Sequence, residues 1–180
     1  MFKQIRSSHL ELNEVYFWTS TIKGWYNLLQ PHFYKQIIID SLTYLVNRNK
    51  ITVYAFVIMP NHIHLIWELN ELNGKEMPHA SFAKYTAHEF LKMTRAANGS
   101  KQYEVNDNER KHRFWQRDSL AICVDSKSVL EQKMDYIHLN PLQEKWNLAK
   151  YPEDYKWSSA RYYEKGVDEF GLLTHYMERF

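Results

Sequence analysis

The spacing of apolar residues predicts the order strand, helix, strand, strand, helix, strand, helix. Strands are expected where β-branched and aromatic residues run together, and helices where apolar residues recur at intervals of about three to four. The predicted strands cover residues 15–22, 51–59, 62–69 and 119–124. The predicted helices cover residues 34–47, 81–97 and 127–139, with Pro31 opening the first and Pro141 following the last. This order favours an α+β fold, a ferredoxin-like antiparallel sheet with helices packed mainly on one face.

The chain shows no internal repeat, and its 5 glycines and 5 prolines form no obvious linker. We predict one domain over residues 1–141, followed by an aromatic C-terminal extension over residues 142–180 that packs on the same domain. The extension is expected to pack because large exposed aromatic patches are unfavourable in water. Its aromatic residues are Trp146, Tyr151, Tyr155, Trp157, Tyr162 and Tyr163.

The composition, with 44% hydrophobic and 24% charged residues over 180 positions, is typical of a globular protein that can bury a core. The one cysteine, Cys123, excludes an intrachain disulfide and favours a reducing, cytoplasmic location. Its apolar neighbours predict an inert core residue. Residues 1–6 lack the apolar run of a signal peptide, and no stretch is apolar enough to span a bilayer, so we expect no membrane association.

Basic residues are concentrated in one band of the chain. The net charge is only +2, but residues 84–117 contain eight Lys or Arg against four Asp or Glu. This band could bind a polyanion such as DNA. It could equally be a solvated helix face followed by a charged loop.

The pair His62 and His64 opens the predicted third strand. Residues two apart on a strand project from the same face, so both imidazoles point together while Ile63 points into the core. Two imidazoles so placed can bind one divalent ion. The alternative is a polar pair on the solvated face of an edge strand.

Tyr136 and Asn140 lie four apart on the last predicted helix and therefore share one side of it. A tyrosine beside a metal could attack a phosphorus atom, and Asn140 could add an oxygen ligand to the two imidazoles. Two nitrogens and one oxygen suit Zn²⁺ by simple preference, and suit Mg²⁺ or Mn²⁺ once a substrate phosphate and waters complete the set. Lys133 shares the side of Tyr136 and is a candidate to assist it, whereas His138 points away. The alternative for Tyr136 is a helix tyrosine that only packs and hydrogen bonds.

Four motifs together resemble the REP-associated tyrosine transposase branch of the single-tyrosine HUH transposases. They are MPNHIHLIW at 59–67, FWQRD at 114–118, YIHLNPL at 136–142 and YKWSS at 155–159. The resemblance covers roughly residues 15–163, and the segments 98–112 and 166–180 match no motif of the branch.

The resemblance implies a ferredoxin-like domain with His62, His64 and Asn140 as metal ligands, Tyr136 as nucleophile, and Mg²⁺ or Mn²⁺ as cofactor. It implies cleavage and rejoining of single-stranded DNA through a 5′-phosphotyrosine, with recognition of hairpin-forming DNA. Its members are monomers or homodimers, so Tyr136 could complete the site of its own chain or of a partner. By position, Arg113, Trp115, Gln116 and Arg117 are the candidates for phosphate contacts and base stacking. The alternative for Trp115 is a core residue.

Two other functions remain compatible with these residues. One is a nucleic-acid-binding protein of the same fold without strand transfer. The other is a metal phosphodiesterase that uses water, for which Tyr136 would be dispensable. A two-histidine phosphoesterase is disfavoured, because the sequence has no second His-x-Thr or His-x-Ser motif to pair with His62.

Overall fold

The computed structural model describes residues 10–106, 111–117 and 119–180. Its strands are β1 (Val15–Thr21), β2 (Ile51–Ile58), β3 (His62–Leu69) and β4 (Leu120–Cys123). Its helices are α1 (His32–Asn47), α2 (Pro78–Ala96), α3 (Lys127–Leu139) and α4 (Ala160–Lys165), with short 3-10 turns between several elements. Within these ranges no helix is long and apolar enough to cross a bilayer. The predictions for residues 1–6, for Asp118 and for the charges at 107, 109 and 110 lie outside the described residues.

The strands form one antiparallel sheet in the order β2-β3-β1-β4. With α1 between β1 and β2 and α2 between β3 and β4, this arrangement confirms the predicted ferredoxin-like α+β fold. The bounds of β3 and α3 agree with those predicted, β1 and β2 are each one residue shorter, and β4 is one residue shorter at both ends. β1 and β3 are the central strands, and both are covered on two faces, which explains their nearly continuous burial.

The two faces of the sheet carry different helices, and alternate residues of β1 belong to each face. The ring of Trp18 lies 5.8 Å from that of Phe82 in α2, and α1 joins the same layer through Tyr34, which packs on α2. Phe17 points the other way and meets Tyr136 of α3 at a centroid distance of 6.0 Å. Thus α1 and α2 cover one face, and α3 covers the other.

α2 begins at Pro78, earlier than the predicted residue 81. Met77 is extended, with φ −63° and ψ 142°, and the fixed φ of Pro78 suits the first helical position. The polar composition of this turn indicated a loop, but a proline at the start of a helix loses no hydrogen bond.

The polar segment predicted as a loop between α2 and β4 contains one buried anchor. Tyr103 is only 1% exposed, ends a 3-10 turn, and stacks on Phe114 at 4.5 Å. The ring of Tyr103 therefore holds the described part of this segment against the core, although most of its neighbours in the sequence are polar.

Cys123 is exposed, and the prediction that it lies in the core is wrong. It ends the edge strand β4, where its Sγ lies 4.0 Å from a carboxylate oxygen of Glu14. Partial burial, followed by the nearby carboxylates, raises the pKa of the thiol. The protonated thiol is a poor nucleophile.

The C-terminal extension covers the outer edge of β2. Ser159 forms two hydrogen bonds with the backbone of Phe56. Its Oγ accepts from the Phe56 N–H at 3.0 Å, and its N–H donates to the Phe56 carbonyl at 3.0 Å. Ile58 donates to the carbonyl of Trp157 at 2.9 Å and accepts from the hydroxyl of Tyr155 at 2.8 Å. These contacts satisfy backbone groups that an open edge strand would expose.

Candidate active site

His62 and His64 lie on the α3 face of β3 and are almost fully buried, with 6% and 5% exposure. Their ring centroids are 4.8 Å apart. Ile63, between them, points to the opposite face and is fully buried. Because β3 is a central strand covered by α3, a polar pair on a solvated edge strand is excluded.

The Nδ1 atom of each histidine has its own hydrogen-bond partner. The Nδ1–H of His62 donates to Oδ1 of Asn61 at 2.7 Å, and Nδ1 of His64 lies 2.7 Å from Oγ1 of Thr19 on the neighbouring strand. Thr19 stands directly opposite His64 in the sheet register. These partners fix the orientation of both rings, and the proton on Nδ1 of His62 leaves the Nε2 lone pair of that ring available to a metal.

Tyr136 and Asn140 reach the histidines from α3 and its C-terminal end. The ring of Tyr136 lies 5.2 Å from that of His64, and 47% of Tyr136 remains exposed. Asn140 is 2% exposed, and its Nδ2 donates to Nε2 of His64 at 3.4 Å. The structure therefore brings together the two histidines, the tyrosine and the asparagine that the sequence singled out.

Burial sets the charge state of the histidines. It lowers the pKa of His62 to about 4, with the nearby charge of Lys145 as the second cause. Burial also lowers the pKa of His64 to about 3, with a smaller contribution from His62. Both imidazoles are neutral at physiological pH and can offer a lone pair to a cation.

The donor set fits a divalent metal. Oδ1 of Asn140 is buried and has no hydrogen-bond partner, which is costly unless something completes its coordination. Rotation of the Asn140 side-chain amide by 180° would exchange its nitrogen and oxygen and direct Oδ1 toward Nε2 of His64. Within the described residues there is no cluster of three or more His, Cys, Asp or Glu side chains, so the third protein donor here is an amide.

Four other residues shape the site, and the sequence did not single them out for it. Asn61 and Thr19 orient the histidines, Phe17 stacks on His64 at 5.4 Å, and Trp146 of the C-terminal extension lies 5.9 Å from His62. From the sequence, Asn61 stood out only as a member of the MPNHIHLIW motif. The alternation of side chains along β1 places Thr19 and Phe17 on one face of the strand. Only the register of β1 against β3 shows that this face lies beside the histidines.

Lys133 and His138 occupy opposite sides of α3. The Nζ of Lys133 lies 5.2 Å above the ring of Phe17, the residue that also contacts Tyr136, and burial lowers the pKa of Lys133. His138 is buried away from the site, with Nε2 2.8 Å from Oγ of Ser159. The sequence expectation for these two residues agrees with their positions.

Among solved structures, this chain is similar to a REP-associated tyrosine transposase bound to a REP hairpin. The TM-score is 0.60 at 20% sequence identity, and the match covers 94% of this chain and 90% of that chain. The chain has the fold of this transposase. A protein from Deinococcus radiodurans R1, provisionally described as a transposase, matches at a TM-score of 0.44 and 16% identity over 76% of this chain and 95% of that chain. No protein-family model matches the sequence. No curated protein matches it either.

On the other face of this transposase fold, a groove of about 970 Å³ lies between α2 and the segment before β4. Among the described residues, five cationic side chains line it, and the acidic residue Glu76 is paired with Lys84 at 2.7 Å. The cationic residues are Lys84, Arg95, Lys111, Arg113 and Arg117. Trp18 and Ser20 of β1 form part of its lining, so the sheet separates the groove from His62 and Tyr136.

All four expected DNA contacts, Arg113, Trp115, Gln116 and Arg117, border this groove. For Trp115, the packing favours the alternative of a core residue. Trp115 is 7% exposed and packs between aromatic rings of α2, and its Nε1–H donates to Oγ1 of Thr86 at 2.9 Å. At this exposure the ring presents little surface on which a base could stack.

Proposed function

We propose that this protein is a metal-dependent, single-strand DNA transposase that cleaves and rejoins DNA through a 5′-phosphotyrosine on Tyr136. The observation that carries the proposal is the position of Tyr136, half-exposed and 5.2 Å from the ring of His64 in a buried two-histidine site. This position leaves the phenol open to solvent beside a neutral imidazole, as attack on a bound phosphate would require.

His62, His64 and Asn140 would hold the metal, Mg²⁺ or Mn²⁺. When bound, it would supply positive charge that orients and polarises the scissile phosphate. The protein supplies the rest of the site: neutral imidazoles oriented by Asn61 and Thr19, and a buried amide oxygen available as a ligand.

The chemistry begins with attack by the Tyr136 oxygen on phosphorus. The Tyr136 oxygen–phosphorus bond forms, the bond from phosphorus to the 3′ oxygen breaks, and that oxygen takes up a proton as it leaves. Lys133, one turn before Tyr136, lies over the ring of Phe17, which the Tyr136 ring also contacts, and from there would supply positive charge as the phenol loses its proton. A second 3′-hydroxyl then attacks the phosphotyrosine, which restores a phosphodiester and frees Tyr136 without a nucleotide cofactor.

The test is a covalent-adduct assay with labelled single-stranded DNA that carries a hairpin, in the presence of Mn²⁺. Wild type is expected to form a protein–DNA band on a denaturing gel, and Tyr136→Phe is expected to form none. Tyr85→Phe is the matched control, because Tyr85 on α2 is also 47% exposed. Cleavage that survives Tyr136→Phe would show that water is the nucleophile and would exclude the transposase mechanism.

The cationic groove is the proposed site for a DNA hairpin. Its charge suits phosphate contacts, and the structural neighbour was solved with a REP hairpin bound. In a hairpin-binding titration over a series of salt concentrations, Arg95→Gln and Lys111→Gln should each reduce the slope of log K against log salt by about one. Lys150→Gln, on an exposed lysine outside the groove, should leave the slope unchanged. An unchanged slope in both groove variants would place the hairpin elsewhere.

A further inference from the structure

Trp25, in the loop between β1 and α1, has a left-handed backbone with φ 58°. L-residues rarely adopt this conformation, and for a bulky side chain it is a strained outlier. In the described part of the chain, all the other non-glycine residues with positive φ are asparagines, at positions 13, 49, 98 and 147. Asparagine tolerates the left-handed region best among non-glycine residues. Trp25 is therefore an exception that the backbone alone does not explain.

The side chain of Trp25 does not stabilise the core. It is 62% exposed, the highest exposure among the large hydrophobic side chains of the described residues. An aromatic ring held in water on a strained backbone is unfavourable on both counts. Strain of this kind, at an exposed residue, points to a role in binding.

The loop that carries Trp25 is tied to the active site by one side chain. Nδ2 of Asn61 donates to the Trp25 carbonyl at 3.2 Å, while Oδ1 of the same amide accepts from Nδ1 of His62 at 2.7 Å. Two backbone hydrogen bonds, Ile22 to Asn61 at 2.8 Å and Leu29 to Pro60 at 2.9 Å, hold the loop on the β2–β3 turn. The Trp25 backbone is thus fixed one amide group away from His62.

The residues on either side of Trp25 also suit this turn. Gly24 has φ 67°, and a Cβ at this position would come within 3.0 Å of the Tyr26 ring. The Tyr26 ring in turn packs edge-on against Tyr103 at 5.8 Å. A rigid platform loses little conformational entropy when a ligand stacks on it.

We propose that Trp25 is a stacking platform for one unpaired base next to the scissile phosphate. The inference rests on the proposed function, because it requires a DNA strand to pass over His62 and His64. Because one amide group joins the Trp25 backbone to His62, a nucleotide next to a phosphate held there would pass close to the Trp25 loop. Every base has a π face, so stacking on Trp25 would strengthen binding of single-stranded DNA without reading its sequence.

The decisive variant is Trp25→Asn, because asparagine suits the backbone and removes the ring. Binding is measured in the Tyr136→Phe background, so that cleavage does not interfere, with a single-stranded oligonucleotide that carries a hairpin. The affinity is expected to fall by about 5- to 100-fold. The melting temperature is expected to stay the same or rise, since strain is relieved. Tyr44→Ala, which removes a ring that is 48% exposed on α1, is the control and should bind as tightly as the parent.

An abasic scan identifies the base. In the parent, one abasic substitution next to the cleavage position should weaken binding by the same factor as Trp25→Asn, and combining the two changes should cause no further loss. Trp25→Phe, which keeps a smaller ring, should retain part of the affinity.

Three results would overturn the proposal. One is unchanged DNA affinity in Trp25→Asn, and another is a melting temperature well below that of the parent, which would make the ring structural. The third is a shift in oligomeric state, seen by sedimentation, at unchanged DNA affinity, which would make the ring part of a protein interface. Failure of the proposed function is a separate result, namely no covalent adduct from a protein in which Trp25 and Tyr136 are both intact.

Discussion

Two substitutions of Asn61 test separately the contacts of its amide oxygen and of its amide N–H. Asn61→Ala removes the oxygen that accepts from Nδ1 of His62 at 2.7 Å and the N–H that donates to Trp25 at 3.2 Å. Asn61 is 7% exposed, so water replaces neither contact easily. The buried Nδ1–H of His62 is then unpaired, which costs about 1–3 kcal/mol of stability.

The larger consequence is expected in metal affinity. Without Asn61 the proton of His62 is free to occupy either ring nitrogen, and the ring loses its fixed orientation. Loss of such an outer partner lowers metal affinity by about 10- to 100-fold, or about 1.4–2.8 kcal/mol. The measurement is calorimetric titration of the protein with Mn²⁺ near neutral pH, with a melting curve for each variant.

Asn61→Asp is the matched variant, because it keeps an oxygen for His62 and loses only the N–H for Trp25. We expect it to bind Mn²⁺ at least as tightly as wild type, and to be less stable. If Asn61→Ala binds Mn²⁺ as wild type does, the reasoning about His62 is refuted. If both variants lose affinity equally, the Trp25 loop rather than the acceptor is responsible. A wild type that does not bind Mn²⁺ would refute the metal site itself.

Three further predictions concern the fold. Burial lowers the pKa of Lys35 from 10.5 to about 8, so the unfolded chain holds this proton more tightly. The free energy of unfolding of wild type, measured in urea, should therefore rise by about 2 kcal/mol relative to Lys35→Met between about pH 7 and pH 9.5, and the same pH dependence in both proteins would contradict this. Ser159→Ala leaves the buried N–H of Phe56 without its side-chain acceptor and should lower the free energy of unfolding by about 1–3 kcal/mol; no loss would mean that the edge of β2 has other partners. Thr86→Val removes the hydrogen-bond acceptor of the Trp115 indole and should lower the free energy of unfolding by ~1–3 kcal/mol, with the DNA affinity unchanged. A loss of DNA affinity without a loss of stability would indicate a direct role for Trp115 in DNA binding.

The elements that the sequence predicted well are those whose signal is local. β3 and α3 have the predicted bounds, because each has a clear periodic pattern and a proline at one end. α2 begins early at Pro78, since the polar residues around it resemble a loop as much as a first turn. Tyr103 was missed because a single aromatic residue in a polar segment has no periodicity to reveal its burial.

Trp115 and Cys123 show where local composition misleads. Trp115 lies in a basic segment, which suggested a contact with DNA, yet its ring packs against α2. Cys123 lies in an apolar segment, which suggested the core, yet it ends an edge strand and is exposed. In both cases the burial of the side chain depends on how elements distant in the sequence pack together, which local composition does not show.

The sequence by itself determined the relations inside each element. A two-residue spacing places His62 and His64 on one face of a strand, and a four-residue spacing places Tyr136 and Asn140 on one side of a helix, because strand and helix periods are fixed by backbone geometry. The tertiary structure alone decided that these two faces meet. It also decided that Thr19, 45 residues from His64, orients its imidazole, and that Asn61 joins the Trp25 loop to His62. Such contacts depend on sheet register and on the packing of α3, which bring together residues that no local pattern connects.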